Sequence, residues 1–430
     1  MHRTPTTRRS FLRTLAAAGA SSSLLGHAQD LGAATPAGLH DVSLEGGDAL
    51  RRLREQYMLS GDLIYLNHAS IGTVPRSVHQ AHAGYLELCE TFPSLYVWGA
   101  VWREVMEETR ASAAGLLHCS PDELAITHNT TEGFNVLAHG LPLEDGDEVL
   151  FSSLNHPGAS VAWRGVAQRR GYNVRDFAFP IERMPSLTVD EVVELHAGAV
   201  GPNTRVLVLP HVDNMVGMRH PLSEIARAVR ERGVDFVVVD GAQSAGMIPV
   251  DLGSSGVDAY SMSPHKWIQS PKGLGLFWVS SDLRERLPRM WYRTPGDRIR
   301  QSARKYEDYS TRAWPAVVAL GDALDFQASI GEGEKQRRYA RLWQQIYDRT
   351  QSDDRLSWRS PTDSVLRSVL MAVESTGARA SGLVAPLLDD HGVVVRGFAP
   401  PLNAIRLSPN VATTAAELDT ALDAIAHPSG

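Results

Sequence analysis

The sequence predicts an α/β fold: a large domain built on a mostly parallel sheet covered by helices, followed by a smaller α+β domain. Three observations carry that expectation. Short apolar runs recur along the chain, amphipathic helical periods separate them, and the texture changes after about residue 310. Strands that alternate with helices imply parallel pairing, because each crossover needs a helix to bring the chain back to the same end of the sheet.

Composition is consistent with this. The chain has 430 residues, of which 43 % are hydrophobic, 7 % aromatic and 21 % charged, enough for two domains. No repeat or low-complexity tract suggests a solenoid or a disordered chain. A net charge of −7 argues against nucleic acid as a partner. Cys89 and Cys119 are too few for a disulfide framework or a four-ligand zinc site, and no metal is expected.

In chain order, residues 1–28 open with Thr7-Arg8-Arg9-Ser10-Phe11-Leu12, then a small-residue apolar run from Leu15 to Leu25 and Gly26-His27-Ala28. This resembles a twin-arginine export signal with cleavage after Ala28. The alternative is a membrane anchor, but a spanning helix needs roughly 20 apolar residues, and this run is shorter and broken by serines. The mature chain is therefore expected to be soluble in the periplasm or outside the cell. Residues 29–62 read as an N-terminal arm with a charged helix from Asp48 to Tyr57. Residues 63–310 read as the large domain, with buried strands at Glu148–Phe151, Val206–Leu209, Phe236–Val239 and Gly275–Val279. Leu222, Ile225, Ala226 and Val229 fall at helical spacing between two of them. Residues 311–430 read as the small domain: a helical stretch from Trp314 to Thr350, then strands near Val365–Val373 and Gly392–Arg396. Ligands of parallel sheets bind outside the carboxyl ends of the strands, so polar residues directly after the apolar runs are the first candidates.

The strongest local signal is Phe236-Val237-Val238-Val239-Asp240-Gly241-Ala242-Gln243. A carboxylate at a strand end can keep a pyridine nitrogen protonated, which is what pyridoxal phosphate needs to take up electrons from a breaking bond. Gln243 is placed to hydrogen-bond the phenolic oxygen of that ring. Taken alone, such an aspartate often only caps the next helix. Further on, Ser263-Pro264-His265-Lys266 puts a lysine in a turn suited to a Schiff base, provided that burial lowers its pKa. Ser263 and His265 suit a phosphate. Surface loop lysines are far commoner, and it is the spacing to Asp240 that favours the functional reading. Thr130 and Thr131 stand where Phe134, Leu137 and Leu141 begin a helical period, so a helix N-terminus there could hold a phosphate. Simple N-capping explains the same residues. His156, after one strand, could stack on the ring; Asn214, after another, could reach the ring oxygen or the substrate.

Together, Asn129-Thr130-Thr131-Glu132-Gly133, Asn155-His156, Asp213-Asn214, Asp240-x-x-Gln243 and Ser263-x-His265-Lys266 resemble the class V aminotransferases, in that family's order over most of residues 63–410. Tyr65-Leu66-Asn67-His68-Ala69-Ser70-x-Gly72 is closest in look to the isopenicillin-N epimerase-like branch. The resemblance implies the pyridoxal-phosphate-dependent transferase fold of type I and a homodimer. It implies that Lys266 forms the Schiff base and shuttles protons, with Asp240 on the pyridine nitrogen, Gln243 on the phenolic oxygen and His156 stacked on the ring. Thr130, Thr131, Ser263 and His265 would line the phosphate, and Thr311 is the nearest match to a Gly-Thr loop that completes it across a dimer interface. Arg406, in Ile405-Arg406-Leu407-Ser408-Pro409, matches the arginine that holds the substrate α-carboxylate, a planar bidentate fit.

Cysteine desulfurases of this family need a reactive cysteine ahead of that arginine, and Arg396–Leu402 contains none. Aminotransferase chemistry on a small amino-acid-like substrate is the expected activity. Epimerisation and C–S β-elimination share its first step, loss of the Cα proton to Lys266, and the motifs do not separate the three. A non-catalytic binding protein is the reading from another class; an intact lysine, aspartate and arginine speak against it. No Gly-x-Gly-x-x-Gly follows an early strand, so a Rossmann dehydrogenase lacks support.

Overall fold

The computed structural model describes residues 44, 47–93, 100–294, 299 and 301–428. The export signal expected at residues 1–28 lies outside them, as does most of the segment before the helix Gly47–Arg54. The described strands are β1 (Ile64–Tyr65), β2 (Leu124–Thr127), β3 (Glu148–Ser152), β4 (Asn173–Phe177), β5 (Thr204–Pro210), β6 (Phe236–Asp240), β7 (Ala259–Met262) and β8 (Gly275–Val279). Then come β9 (Leu356–Trp358), β10 (Met371–Ser375), β11 (Val393–Val394), β12 (Arg396–Gly397) and β13 (Ile405–Leu407).

Seven of them form one sheet in the order β2-β8-β7-β6-β5-β3-β4. Pairing is parallel from β7 through β6, β5 and β3 to β4, and antiparallel only where β8 inserts between β7 and β2. The central strands carry continuous apolar runs because both faces are covered. Phe151, Val208, Val238 and Phe277 pack on one face against Phe134 and Leu137 of the helix Thr130–Gly140 and Trp163 of the helix Pro157–Arg170. Their neighbours Leu150, Leu207, Val239 and Leu276 point the other way, into a core shared with the helix Leu222–Arg230 and the C-terminal elements. That alternation is the period-2 geometry of a strand.

A second sheet, β12-β13-β10-β9, is antiparallel. A third is a two-stranded parallel ribbon of β1 and β11 that ties the start of the described chain to its far end. Residues Asn67 and Ser408 extend the same tie as a parallel bridge.

Two sequence expectations are adjusted. The helical stretch from Trp314 to Thr350 is two helices, Trp314–Ile330 and Glu332–Ser352, broken where Gly331 takes φ +83°. That is backbone geometry glycine alone adopts cheaply. The strand expected near Val365–Val373 starts only at Met371. Leu366, Val369 and Leu370 before it are buried in a turn instead, with the Leu366 carbonyl accepting from Arg219 N–H and Ser368 Oγ donating to Gly217 O at 2.7 Å.

Candidate active site

The carboxyl ends of β3, β5, β6 and β7 and the segment after β2 converge on one cavity of about 300 Å³. Thr130, Thr131, His156, Asn214, Asp240, Gln243, Ser263, His265 and Lys266 all line it. Nine residues named from sequence thus meet in one place. Arg406 and Thr311 do not line it. Thr311 is exposed. Arg406 adjoins the cavity through Asn214, its Nη1 donating to the Asn214 carbonyl at 2.8 Å.

Asp240 is the last residue of β6, and its Oδ1 accepts from Ala242 N–H at 2.9 Å. It is 6 % exposed, and burial raises its carboxyl pKa against the pull of Lys266, the Ala242 N–H and His156. Lys266 follows β7 in the turn Ser263–Lys266, closed by Lys266 N–H to Ser263 O at 3.3 Å. Burial pushes its ammonium down to about 8, with Asp240 opposing and Arg406 adding to the fall. An amine lowered this way is a base and nucleophile at neutral pH.

The helix Thr130–Gly140 opens at the cavity. Asn129 is its N-cap, accepting from Glu132 N–H at 3.0 Å. Thr130 Oγ1 lies 2.6 Å from Ser263 Oγ, which also accepts from Thr130 N–H at 3.3 Å. Hydroxyls and helix N–H groups therefore sit side by side at a positive dipole end, the chemistry a phosphate needs. Gly133 lets this helix approach β7, since a Cβ there would fall 2.3 Å from Ser261 Oγ. His156 caps the helix Pro157–Arg170, its Nδ1 accepting from Gly158 N–H at 3.0 Å, so the ring is held at one edge and open to the cavity. Burial lowers its pKa, as it lowers that of His265 to about 4. Gln243 is bound on both sides: Nε2 donates to Ala69 O and Oε1 accepts from Trp267 Nε1, each at 2.8 Å. One amide hydrogen remains for a ligand.

The sequence reading gave no role to Asn67 and Ser70. Arg406 Nη2 donates to Asn67 Oδ1 at 2.7 Å and to Ser70 Oγ at 2.6 Å. Asp213 likewise works through its neighbour: its carboxylate accepts from the N–H groups of Met215, Val216 and Met218 and so fixes the turn that carries Asn214. The signal for Asn67 and Ser70 was present in the quoted Asn-His-Ala-Ser segment, but only the fold shows which arginine they serve.

These residues fit pyridoxal phosphate. A buried acid, a buried low-pKa amine and a hydroxyl-rich helix start share one cavity. Two buried polar atoms in it or beside it, His265 Nδ1 and Arg406 Nε, have no partner among the described residues. Buried polar atoms are normally paired, so both are suited to a bound group. The described residues contain no cluster of three or more potential metal-binding side chains.

Comparisons with known proteins agree. The family model described as aminotransferase class-V matches residues 64–400. The isopenicillin N epimerase of Amycolatopsis lactamdurans is 32 % identical over 312 residues, covering 67 % of this chain and 75 % of that protein. A probable cysteine desulfurase of Pseudomonas aeruginosa is 27 % identical, covering 78 % of this chain and 83 % of that one. Among solved structures, the complex of the cystine C–S lyase C-DES with cysteine persulfide superposes with a TM-score of 0.77 at 22 % identity, over 85 % of this chain and 98 % of that one. This last likeness speaks to fold alone.

Proposed function

The chain belongs to the class-V aminotransferase family of pyridoxal-phosphate enzymes, and we propose that it is an aminotransferase acting at Cα of a small amino-acid-like substrate. The observation that carries this reading is the joint placement of Lys266 and Asp240 in one cavity, with Arg406 close enough to depress the Lys266 pKa. Asp240 would hold the ring nitrogen, Lys266 the aldehyde carbon, and Thr130, Thr131, Ser263 and His265 the phosphate. When bound, the cofactor supplies an electron sink for the bond broken at Cα.

The chain's own groups do the rest. Arg406, oriented by Asn67, Ser70 and the Asn214 carbonyl, receives the substrate carboxylate. That fixes Cα near Lys266. The neutral Nζ takes the Cα proton and returns it, and where it returns it decides the product. Asp240, kept in a dry site, holds its charge opposite the ring nitrogen more effectively than it would in water.

Likeness to an isopenicillin N epimerase at 32 % identity favours epimerisation as the second reading. Sulfur transfer has little support. No cysteine lies in residues 396–402, Cys89 is buried, and burial followed by Glu123 pushes the Cys119 thiol up to about 12. A persulfide-forming cysteine needs the opposite, a low-pKa exposed thiolate.

A screen of amino donors tests the reading. Keto acid accumulation is the expected outcome; an inverted amino acid would replace it with the epimerase reading, and released thiol or ammonia with a lyase. Lys266→Ala should cost several orders of magnitude in turnover, since both proton carrier and cofactor anchor are lost. Near-normal turnover in that variant would sink the proposal.

A homodimer and twin-arginine export of the folded enzyme complete the proposal. Support comes from the family's dimeric phosphate site and from the Arg8-Arg9 segment. Among the described residues no helix is long and apolar enough to cross a membrane. Sedimentation equilibrium, and localisation of an Arg8→Lys, Arg9→Lys variant, test the two parts separately.

A further inference from the structure

β12 and β13 run antiparallel with Arg396 directly opposite Arg406. Directly opposed residues of such a pair send their side chains to the same face, with Cβ atoms about 5 Å apart. Both guanidinium carbons lie 5.8 Å from the centre of the Phe398 ring. Two arginines therefore share one aromatic plate.

They are not equivalent. Arg406 is 2 % exposed and held by three oxygens. Arg396 is exposed, and no acid of the described residues pairs with it. The one acid on the strands of this sheet, Glu374 on β10, is already engaged by Arg359 and by Asn403 Nδ2 at 2.8 Å. Like charges placed opposite each other destabilise a sheet. Asp213 and Tyr65 offset this at Arg406, but no carboxylate of the described residues pairs with Arg396, and an anion from outside would. The charge of Arg396 also reaches the cavity: it is among the groups that depress the pKa of both Arg406 and His156.

We infer that Arg396 binds a second anionic group on the substrate, so that the preferred substrates are amino acids carrying a carboxylate or similar anion on the side chain. The inference rests on Arg406 taking the α-carboxylate. Arg406, deep and fixed, reads the part common to all amino acids. Arg396, outer and unpaired, reads what distinguishes them, and Phe398 holds the two cations apart and shields one flank.

The test is a binding comparison on the holoenzyme by calorimetry, with glutarate and pentanoate, acids of equal chain length that carry two charges and one. Glutarate should bind at least about tenfold more tightly, the lower end of what a charged hydrogen bond contributes. Arg396→Gln should collapse that ratio toward one, and Arg396→Lys should keep part of it. Equal binding of the two acids by the wild type, or a ratio that survives in Arg396→Gln, would overturn the inference. Because Arg396 is exposed, the Gln variant should fold, with an unfolding midpoint no lower than the wild type's. In kinetics, the same variant should lower kcat/KM for glutamate at least about tenfold more than for norvaline. If no amino acid is turned over at all, the aminotransferase reading fails, while the glutarate comparison still decides the role of Arg396.

Discussion

Lys266 and Asp240 line one cavity whose burial disfavours both charges, and each opposes that effect on the other. For a cation, burial shifts the balance toward the neutral form, so the amine is protonated below about pH 8 and free above it. At pH 7 about a tenth of it is neutral, roughly 300-fold more than for a solvated lysine. Competitive acetylation of the cofactor-free protein, read at Lys266 by mass spectrometry, should therefore rise with pH and level off above about 8. A rise that continues to pH 10 would show an ordinary lysine. This pair was legible in the sequence because its chemistry demands those residue types at the ends of consecutive buried strands. Asn67 and Ser70 were not, since their partner Arg406 lies 339 and 336 residues away and nothing local marks them. Gln243 was legible as a site residue but not as a strut; its bonds to Trp267 and Ala69 appear only once the loop before Gly72 is folded against it.

That loop, residues 67–72, is the least ordinary element of the site. Gly72 N–H donates to His265 O at 3.1 Å, and a Cβ at Gly72 would fall 1.9 Å from the Lys266 carbonyl oxygen. The obstacle is backbone, which cannot swing aside. Gly72→Ala should therefore push the loop off the lysine turn, costing about 1–3 kcal/mol as forced overpacking and lowering bound cofactor. Chemical denaturation and absorbance in the cofactor band measure the two effects. Stability within error of the wild type would refute the close approach. Strands were readable where burial on both faces makes a continuous apolar run, as in Val237-Val238-Val239. The misjudged strand start at Val365 has a different cause. Leu366, Val369 and Leu370 are as buried as strand residues, yet they pack as a turn against residues 216–219, and a short apolar run does not say which.

At the scale of the molecule, the cavity is a junction. Its walls come from five separate stretches between residues 129 and 266, and Arg406 is joined to it from the second sheet through Asn214. A ligand that touches them all stabilises the whole chain by mass action. Adding pyridoxal phosphate at 100 times its Kd should raise unfolding free energy by about 2.7 kcal/mol. Thermal unfolding with and without the cofactor checks this, and a midpoint that does not move would mean that the cavity is not where it binds. The large sheet was foreseeable from strand–helix alternation. The β1–β11 ribbon was not, because two residues per strand leave no periodic trace.

That ribbon, with the Asn67–Ser408 bridge beside it, also fixes the order of assembly. As the chain leaves the ribosome, the segment carrying Asn67 and Ser70 emerges early and Arg406 more than 330 residues later. The strands between can pair as they appear, since domains fold from the N-terminal side during synthesis. The carboxylate clamp cannot. Until β13 arrives, Asn67 and Ser70 have no guanidinium to orient, so substrate recognition is the last capability a nascent chain acquires.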